Sequence, residues 1–328
     1  MTLDNAPWGM RGMAVAPHSL AAESAIGVLR DGGNAIEAMV AAAAAIAVVY
    51  PHMNSIGGDA FWLIHVPGES PRAIDACGAA GSRASVDLYR SQGHATIPFR
   101  GGIAANTVAG TLSGWSLALE YSREGLGGKL PLSRLLADAI HYARHGIPVT
   151  RSQHATTAAK LDGLREQPGF AETFTVNGEV PRFGSLFVQP RMAATLQQLA
   201  AAAGCRRCRA NARVRAACAT ARGGCASRRR PAGCHTQRGR GRSSVRDHRD
   251  RNRRDPPPTQ GLVSLLLLGI LDALDIGATA PAGADYVHLS VEAVKQAFGV
   301  RDRREHLLRV RRHVGGIGDV PVAVDARG

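Results

Sequence analysis

The stretch from Asn34 to Pro51, NAIEAMVAAAAAIAVVYP, restricts the fold more than any other part of this chain. Asn34 followed three positions later by Glu37 has the spacing of a capping box, so a helix starts there. Through Val49 nearly every residue is small and apolar, and Pro51 ends the run. A surface helix needs a polar stripe; one that is apolar on most sides must be buried on most sides. The fold therefore has to wrap other elements around this helix. The run MVAAAAAIAVVY (39–50) is too short to cross a bilayer, as is LVSLLLLGIL (262–271). Both predict buried helices.

The flanking sequence supplies the wrapping. A helix is expected from Ser19, which can cap it, to the stop at Gly32-Gly33. After Pro51, NSIGGDAFWLIHV turns around Gly57-Gly58 and enters a strand over 60–66. PGES (67–70) reverses the chain and RAIDACG (72–78) returns, which predicts a hairpin. Helical patterns follow at 110–125, 132–146, 188–204, 256–277 and 285–303, with no internal repeat. Two strands among many helices predict an α+β or α/β fold with more helix than strand. At 328 residues the chain is long enough for one large domain or two ordinary ones.

Residues 205–254 differ from everything around them. They hold 17 arginines, no lysine and two acids (Asp247 and Asp250), a net +15 of the chain's +14, which leaves −1 for the other 278 residues. Five of the six cysteines lie there too. Three readings compete. Cys205-x2-Cys208 with Cys218, Cys225, Cys234 and His235 suggests zinc, but no second close pair follows at finger spacing. A basic arm for nucleic acid is the second, although such a long insert is uncommon inside a domain. The third is a shifted reading frame of a GC-rich gene, which yields Arg, Ala, Gly, Pro and Cys. That reading also covers the Arg-heavy tail at 304–328. It leads us to expect no metal, no specific nucleic-acid partner, and an irregular, protease-labile segment.

The residues GGNAIEAMVAAAAAIAVVYPHMNSIGGDAFWLI (32–64) resemble the gamma-glutamyltranspeptidase family. The likeness continues in order through AANTVAGTLSGWSLAL (104–119), LPLSRLLADAIHYARHGIPV (130–149), PPPTQG (256–261) and EAVKQAFGVRDR (292–303). It implies an N-terminal-nucleophile hydrolase, with an αββα sandwich cut by self-cleavage into a large and a small chain. In that family a threonine freed at the small chain's N-terminus attacks the substrate, its own amine acting as base. The Thr-x-His/Ser motif is expected after 292–303, and residues 304–328 contain no threonine. The chain thus matches the large-subunit portion, an incomplete sandwich lacking the strands of the small subunit, and is expected to be inactive by itself. Thr156-Thr157, in HATTAAK, are expected on a helix surface rather than at a cleavage point.

One substrate-binding position departs from the pattern. Where gamma-glutamyl enzymes carry Arg-Glu in D-x-R-E-x-AP, this chain reads IDACGAAGSRA (74–84), with Cys77 in place of the arginine. A thiol cannot replace a bidentate guanidinium clamp on a carboxylate. The DACGAAG version resembles the oxamate amidohydrolase-like branch, which hydrolyses a small amide. Cys77 and Arg83 are the candidate substrate-binding residues, each with a plainer alternative: a buried strand thiol and a solvated arginine. The expected organisation is 1–204 family-like, 205–254 aberrant, 255–303 family-like again, and 304–328 aberrant. The expected function is a cofactor-free, cytoplasmic amidohydrolase or acyltransferase. The competing class is a non-catalytic binding protein with a basic zinc or nucleic-acid arm.

Overall fold

Helices α1 (Ser19–Arg30) and α2 (Ala35–Val49) form the first packed pair. The computed structural model describes residues 9–10, 12–77, 84–104, 107–202, 245–246, 261–281 and 283–313. Helix α2 opens with the expected capping box: Glu37 N donates to Asn34 Oδ1 at 3.1 Å and Asn34 N donates to Glu37 Oε2 at 3.0 Å. The cap of α1 is His18 rather than Ser19, its Nδ1 accepting from Leu20 N at 3.2 Å. The hydroxyl of Ser19 sits one position too late, on the first helical residue.

The burial expected of α2 is met. Its Ala38, Val40, Ala41, Ala44 and Val48 share one cluster with Val28 of α1 and with Trp115 of α4 (Thr111–Gly125). Leu135 of α5 (Leu132–Leu135), Ala139 of α6 (Ala137–His145) and Leu196 of α9 (Pro190–Ala202) close the same cluster. Alanines on α2 let these neighbours approach closely. At its C-terminal end, the buried Gln189 donates from Nε2 to Val48 O at 2.8 Å, satisfying a carbonyl with no intrahelical partner. The helix expected over 132–146 is interrupted at Leu136 (φ −95°, ψ −3°), which ends α5 and precedes the first residue of α6.

The hairpin forms with strands β1 (Ala60–Ile64) and β2 (Arg72–Ala76), shorter than the sequence predicts. Ala60 pairs with Ala76 and Ile64 with Arg72. A short third strand, β5 (Val245–Arg246), pairs with β2. Ile64, Ile74 and Ala76 pack with Ile36 of α2 and Ala118 of α4, so helices cover one face of the sheet. On the opposite face Phe61 is 42% and Leu63 55% exposed. A two-residue pair that the sequence did not reveal, β3 (Ile147–Pro148) with β4 (Leu186–Phe187), packs against Ala45 and Val49. Helices α3 (Val86–Ser91), α7 (Arg151–Leu164) and α8 (Phe170–Phe174) complete this part of the chain.

The chain divides into two units, Met1–Asp247 and His248–Gly328. In the second, helix Gly261–Ala273 packs on helix Ala284–His313. The Leu-rich run does not form the fully buried helix its composition predicts. Val263, Ala293 and Ala297 are buried, whereas Leu268 is 52% exposed. The last helix runs on to His313, through REHLLRVRRH, a stretch of helix formers without glycine or proline. No described helix is long and apolar enough to cross a membrane.

Candidate active-site wall

The hairpin's open ends bring two acids to a thiol. Because Ala60 faces Ala76, the residues just outside the register, Asp59 and Cys77, are neighbours. Cys77 Sγ donates to Asp59 Oδ2 at 3.4 Å, and Cys77 N donates to Asp75 Oδ1 at 2.9 Å. The thiol is partly exposed and free of any disulfide. Its pKa is pushed up, first by desolvation, then by the hydrogen bond and charge of Asp59 and the charge of Asp75. This is a protonated, donating thiol in an acidic corner, which makes it a poor nucleophile.

The start of α4 locks the corner in place. Gly58 O accepts from Gly110 N at 2.9 Å, Thr111 N at 3.0 Å and Thr111 Oγ1 at 2.8 Å. Gly110 has to be glycine because a Cβ there would lie 1.9 Å from Ala76 O. One turn on, a Cβ at Gly114 would meet that of Ala76 at 2.9 Å. Backbone therefore lies directly on backbone, and the Gly57-Gly58-Asp59 turn is fixed relative to the end of β2. At the far end of the hairpin is an open cleft of about 230 Å³, lined by Ile64, Arg72, Ile74, Leu117, Tyr121 and two glutamates. There Arg72 stacks over Tyr121, with Cζ 4.2 Å from the ring centroid, and Tyr121 donates to Glu69. The cleft lies away from Cys77 and shares no residue with the acidic corner.

Of the residues singled out from sequence, Cys77 lies in this wall, while Arg83 lies outside the described residues. Thr157 is 5% exposed and packs inward with Gln153 and Leu161 on α7, so the expectation of a surface position fails for it. The reason is helical period: 153, 157 and 161 share one face. The zinc candidates Cys205, Cys208, Cys218, Cys225, Cys234 and His235 lie outside the described residues, as does most of 205–254. Among the described residues no three metal-ligating side chains converge. Asp59, Asp75 and Thr111 were not singled out, although the hairpin register alone places Asp59 beside Cys77.

A second polar cluster joins the end of α2 to the start of α7. His52 Nε2 is 3.2 Å from Ser152 Oγ, which donates to Tyr50 Oη at 3.1 Å, and the Tyr50 and His52 rings lie tilted at 58° with centroids 4.2 Å apart. Burial, then the nearby Lys160, lowers the His52 pKa, and burial lowers that of His18.

The gamma-glutamyltranspeptidase family model matches residues 21–207, more than half of the chain. The chain belongs to the gamma-glutamyltranspeptidase family. The oxamate amidohydrolase proenzyme of Klebsiella pneumoniae is 53% identical over 291 residues, covering 89% of this chain and 54% of that protein. A glutathione hydrolase-like proenzyme of Bacillus subtilis is 34% identical, covering 90% of this chain and 55% of that protein. The gamma-glutamyltranspeptidase of Helicobacter pylori, a solved structure, superposes with a TM-score of 0.68 at 23% identity, covering 90% of this chain and 85% of that one. At that identity the likeness bears on the fold alone, and it bears out the helix-rich α+β expectation. The chain spans about half the length of the curated relatives it matches.

Proposed function

We propose that this chain forms the large-subunit wall of a cofactor-free amidohydrolase of the gamma-glutamyltranspeptidase family, acting on a small amide such as oxamate. The observation that carries this reading is the acidic corner at the end of β2. The polar side chains that touch Cys77 among the described residues are carboxylates, Asp59 through the thiol and Asp75 through the backbone N–H. Any substrate carboxylate seated at Cys77, the position of the gamma-glutamyl enzymes' arginine, would meet carboxylates instead of a guanidinium, so the amide end of a small substrate suits this corner and its carboxylate belongs elsewhere. A primary amide presents N–H donors, which Asp59 can accept. The likeness to an oxamate amidohydrolase proenzyme supports the same substrate class. Arg83 is the side chain we assign to the substrate's own carboxylate.

The chemistry proposed is acyl transfer from the amide to a threonine, release of ammonia, and hydrolysis of the ester by water. No threonine follows 292–303 within these 328 residues, where the family's nucleophile motif is expected, so by themselves they are expected neither to self-cleave nor to turn over substrate. We read the Arg- and Cys-rich stretch as out of frame and the protein as cytoplasmic, with no specific nucleic-acid partner. Resequencing codons 200–330 tests the frame directly. The protein from a restored frame is then assayed for ammonia release from oxamate and for cleavage of a gamma-glutamyl anilide. Oxamate turnover with a KM raised by Arg83→Ala supports the proposal. Anilide cleavage without oxamate turnover refutes the substrate assignment, and a gene sequence that confirms the chain as it stands refutes the frame reading.

A further inference from the structure

Helix α6 ends in two imidazoles one turn apart. His141 and His145 are both exposed, with ring centroids 4.4 Å apart and ring planes at 37°. The i, i+4 spacing puts them on one face of the helix. His145 Nδ1 lies 3.0 Å from the carbonyl oxygen of His141. A carbonyl can only accept, so Nδ1 carries the proton and the lone pair of His145 resides on Nε2. This is the arrangement by which a metal-ligating histidine is held in the correct tautomer, its other ring N–H given to a backbone carbonyl. His145 is also the last residue of α6, before Gly146 at φ 91°, and the C-terminal end of a helix favours a cation.

We propose that His141 and His145 form a two-imidazole site for a divalent transition cation, of the class of Zn(II), Ni(II) and Cu(II). Imidazole nitrogen suits these borderline ions and not Mg(II) or Ca(II). Bonds of about 2.0–2.1 Å in a tetrahedral shell ask for nitrogens about 3.3 Å apart, and with the rings 4.4 Å apart the adjustment falls to the exposed His141 ring, whose rotation about χ2 leaves the His145 hydrogen bond in place. Asp138, one turn earlier on the same face, is turned towards Arg134 at 3.9 Å. No third described ligand completes the set, so water or an external ligand fills the remaining positions. The site is open and exchangeable, and it is independent of the acidic corner and of the proposed amidohydrolase activity.

The test uses the full chain with its six cysteines alkylated, so that thiols do not compete. Titration with Cu(II) is followed by electron paramagnetic resonance. The expected result is one tight equivalent with nitrogen couplings from two imidazoles. His141→Ala and His145→Ala should each weaken binding by about tenfold or more, and the double variant should lose the two-nitrogen spectrum. Both residues are exposed, so the far-ultraviolet circular dichroism should not change. Zn(II) protection of both imidazoles from diethyl pyrocarbonate, mapped by peptide mass on the unmutated chain, is the second readout. Equal binding by the double variant, or no protection at either ring, would overturn the site.

Discussion

Replacing Glu37 by alanine should destabilise the first unit more than any other single polar change within it. The side chain is 1% exposed, yet both carboxylate oxygens are used: Oε2 accepts from Asn34 N at 3.0 Å and Oε1 from Leu130 N at 2.7 Å. The Asn34 that caps α2 also donates to Ser122 Oγ at 2.7 Å and to Leu126 O at 3.2 Å. One buried carboxylate thus ties the start of α2 to the chain leaving α4. Each charge-assisted hydrogen bond contributes about 1.5–3 kcal/mol, so losing both costs about 3–6 kcal/mol, against a typical domain stability of about 5–15 kcal/mol. Glu37→Gln keeps one acceptor and points an amide N–H₂ at the second donor, so about half the loss is expected. Urea unfolding followed by tryptophan fluorescence reads this unit directly, since Trp115 lies in its core and Trp62 packs against it. A loss below about 1 kcal/mol for Glu37→Ala would refute the reasoning. It would mean that desolvation of the carboxylate cancels what its bonds return.

Gly110→Ala should cost about 1–3 kcal/mol or more by overpacking, because its Cβ has nowhere to go but into Ala76 O. Gly58→Ala, with nothing within 4 Å of the added carbon, should change the thermal midpoint little, and equal effects at the two sites would count against the close-approach argument. Asp59→Asn should lower the Cys77 pKa and speed its alkylation by iodoacetamide at pH 8, read by peptide mass mapping; slower labelling would contradict the assigned causes. His18 and His52 have depressed folded pKa values, so the unfolded chain takes up protons first as pH falls. Their contribution to stability is complete above about pH 6.5 and is lost as pH falls through the folded values. The thermal midpoint should therefore drop between pH 7.5 and pH 5, less so in His52→Gln, and a flat profile would exclude it.

What the sequence disclosed was whatever depends on near neighbours. The Asn34–Glu37 box, the all-apolar run behind it and the alternating strands at 60–64 and 72–76 each encode their structure within a few residues. Cys77, expected inside the strand over 72–78 with a buried strand thiol as its plainer reading, instead follows the end of β2 and is half-exposed. Asp59 was overlooked because a carboxylate after Gly-Gly is ordinary turn chemistry, and its meaning comes from the strand seventeen residues away. The β3–β4 pair has two residues per strand and thirty-seven between them, too little local signal to detect. The cap of α1 was misplaced because an imidazole can accept as a serine does, one position earlier. The Leu-rich run at 262–271 states that it prefers burial but not which partner provides it.

Helix α2 carries one further consequence, for the tolerance of the chain to mutation. Between Ile36 and Val49 its incompletely buried positions are Met39, Ala43 and Ile46, spaced four and three residues apart along a single narrow line. Past Ile36 and Glu37, every other position in that span is a buried alanine or valine. A saturation library across residues 38–49 should therefore show a near-continuous block that rejects enlargement as strongly as it rejects charge, crossed by one permissive thread at 39, 43 and 46. Most helices present a broad solvent face on which sequence can drift; this one leaves drift a track one residue wide.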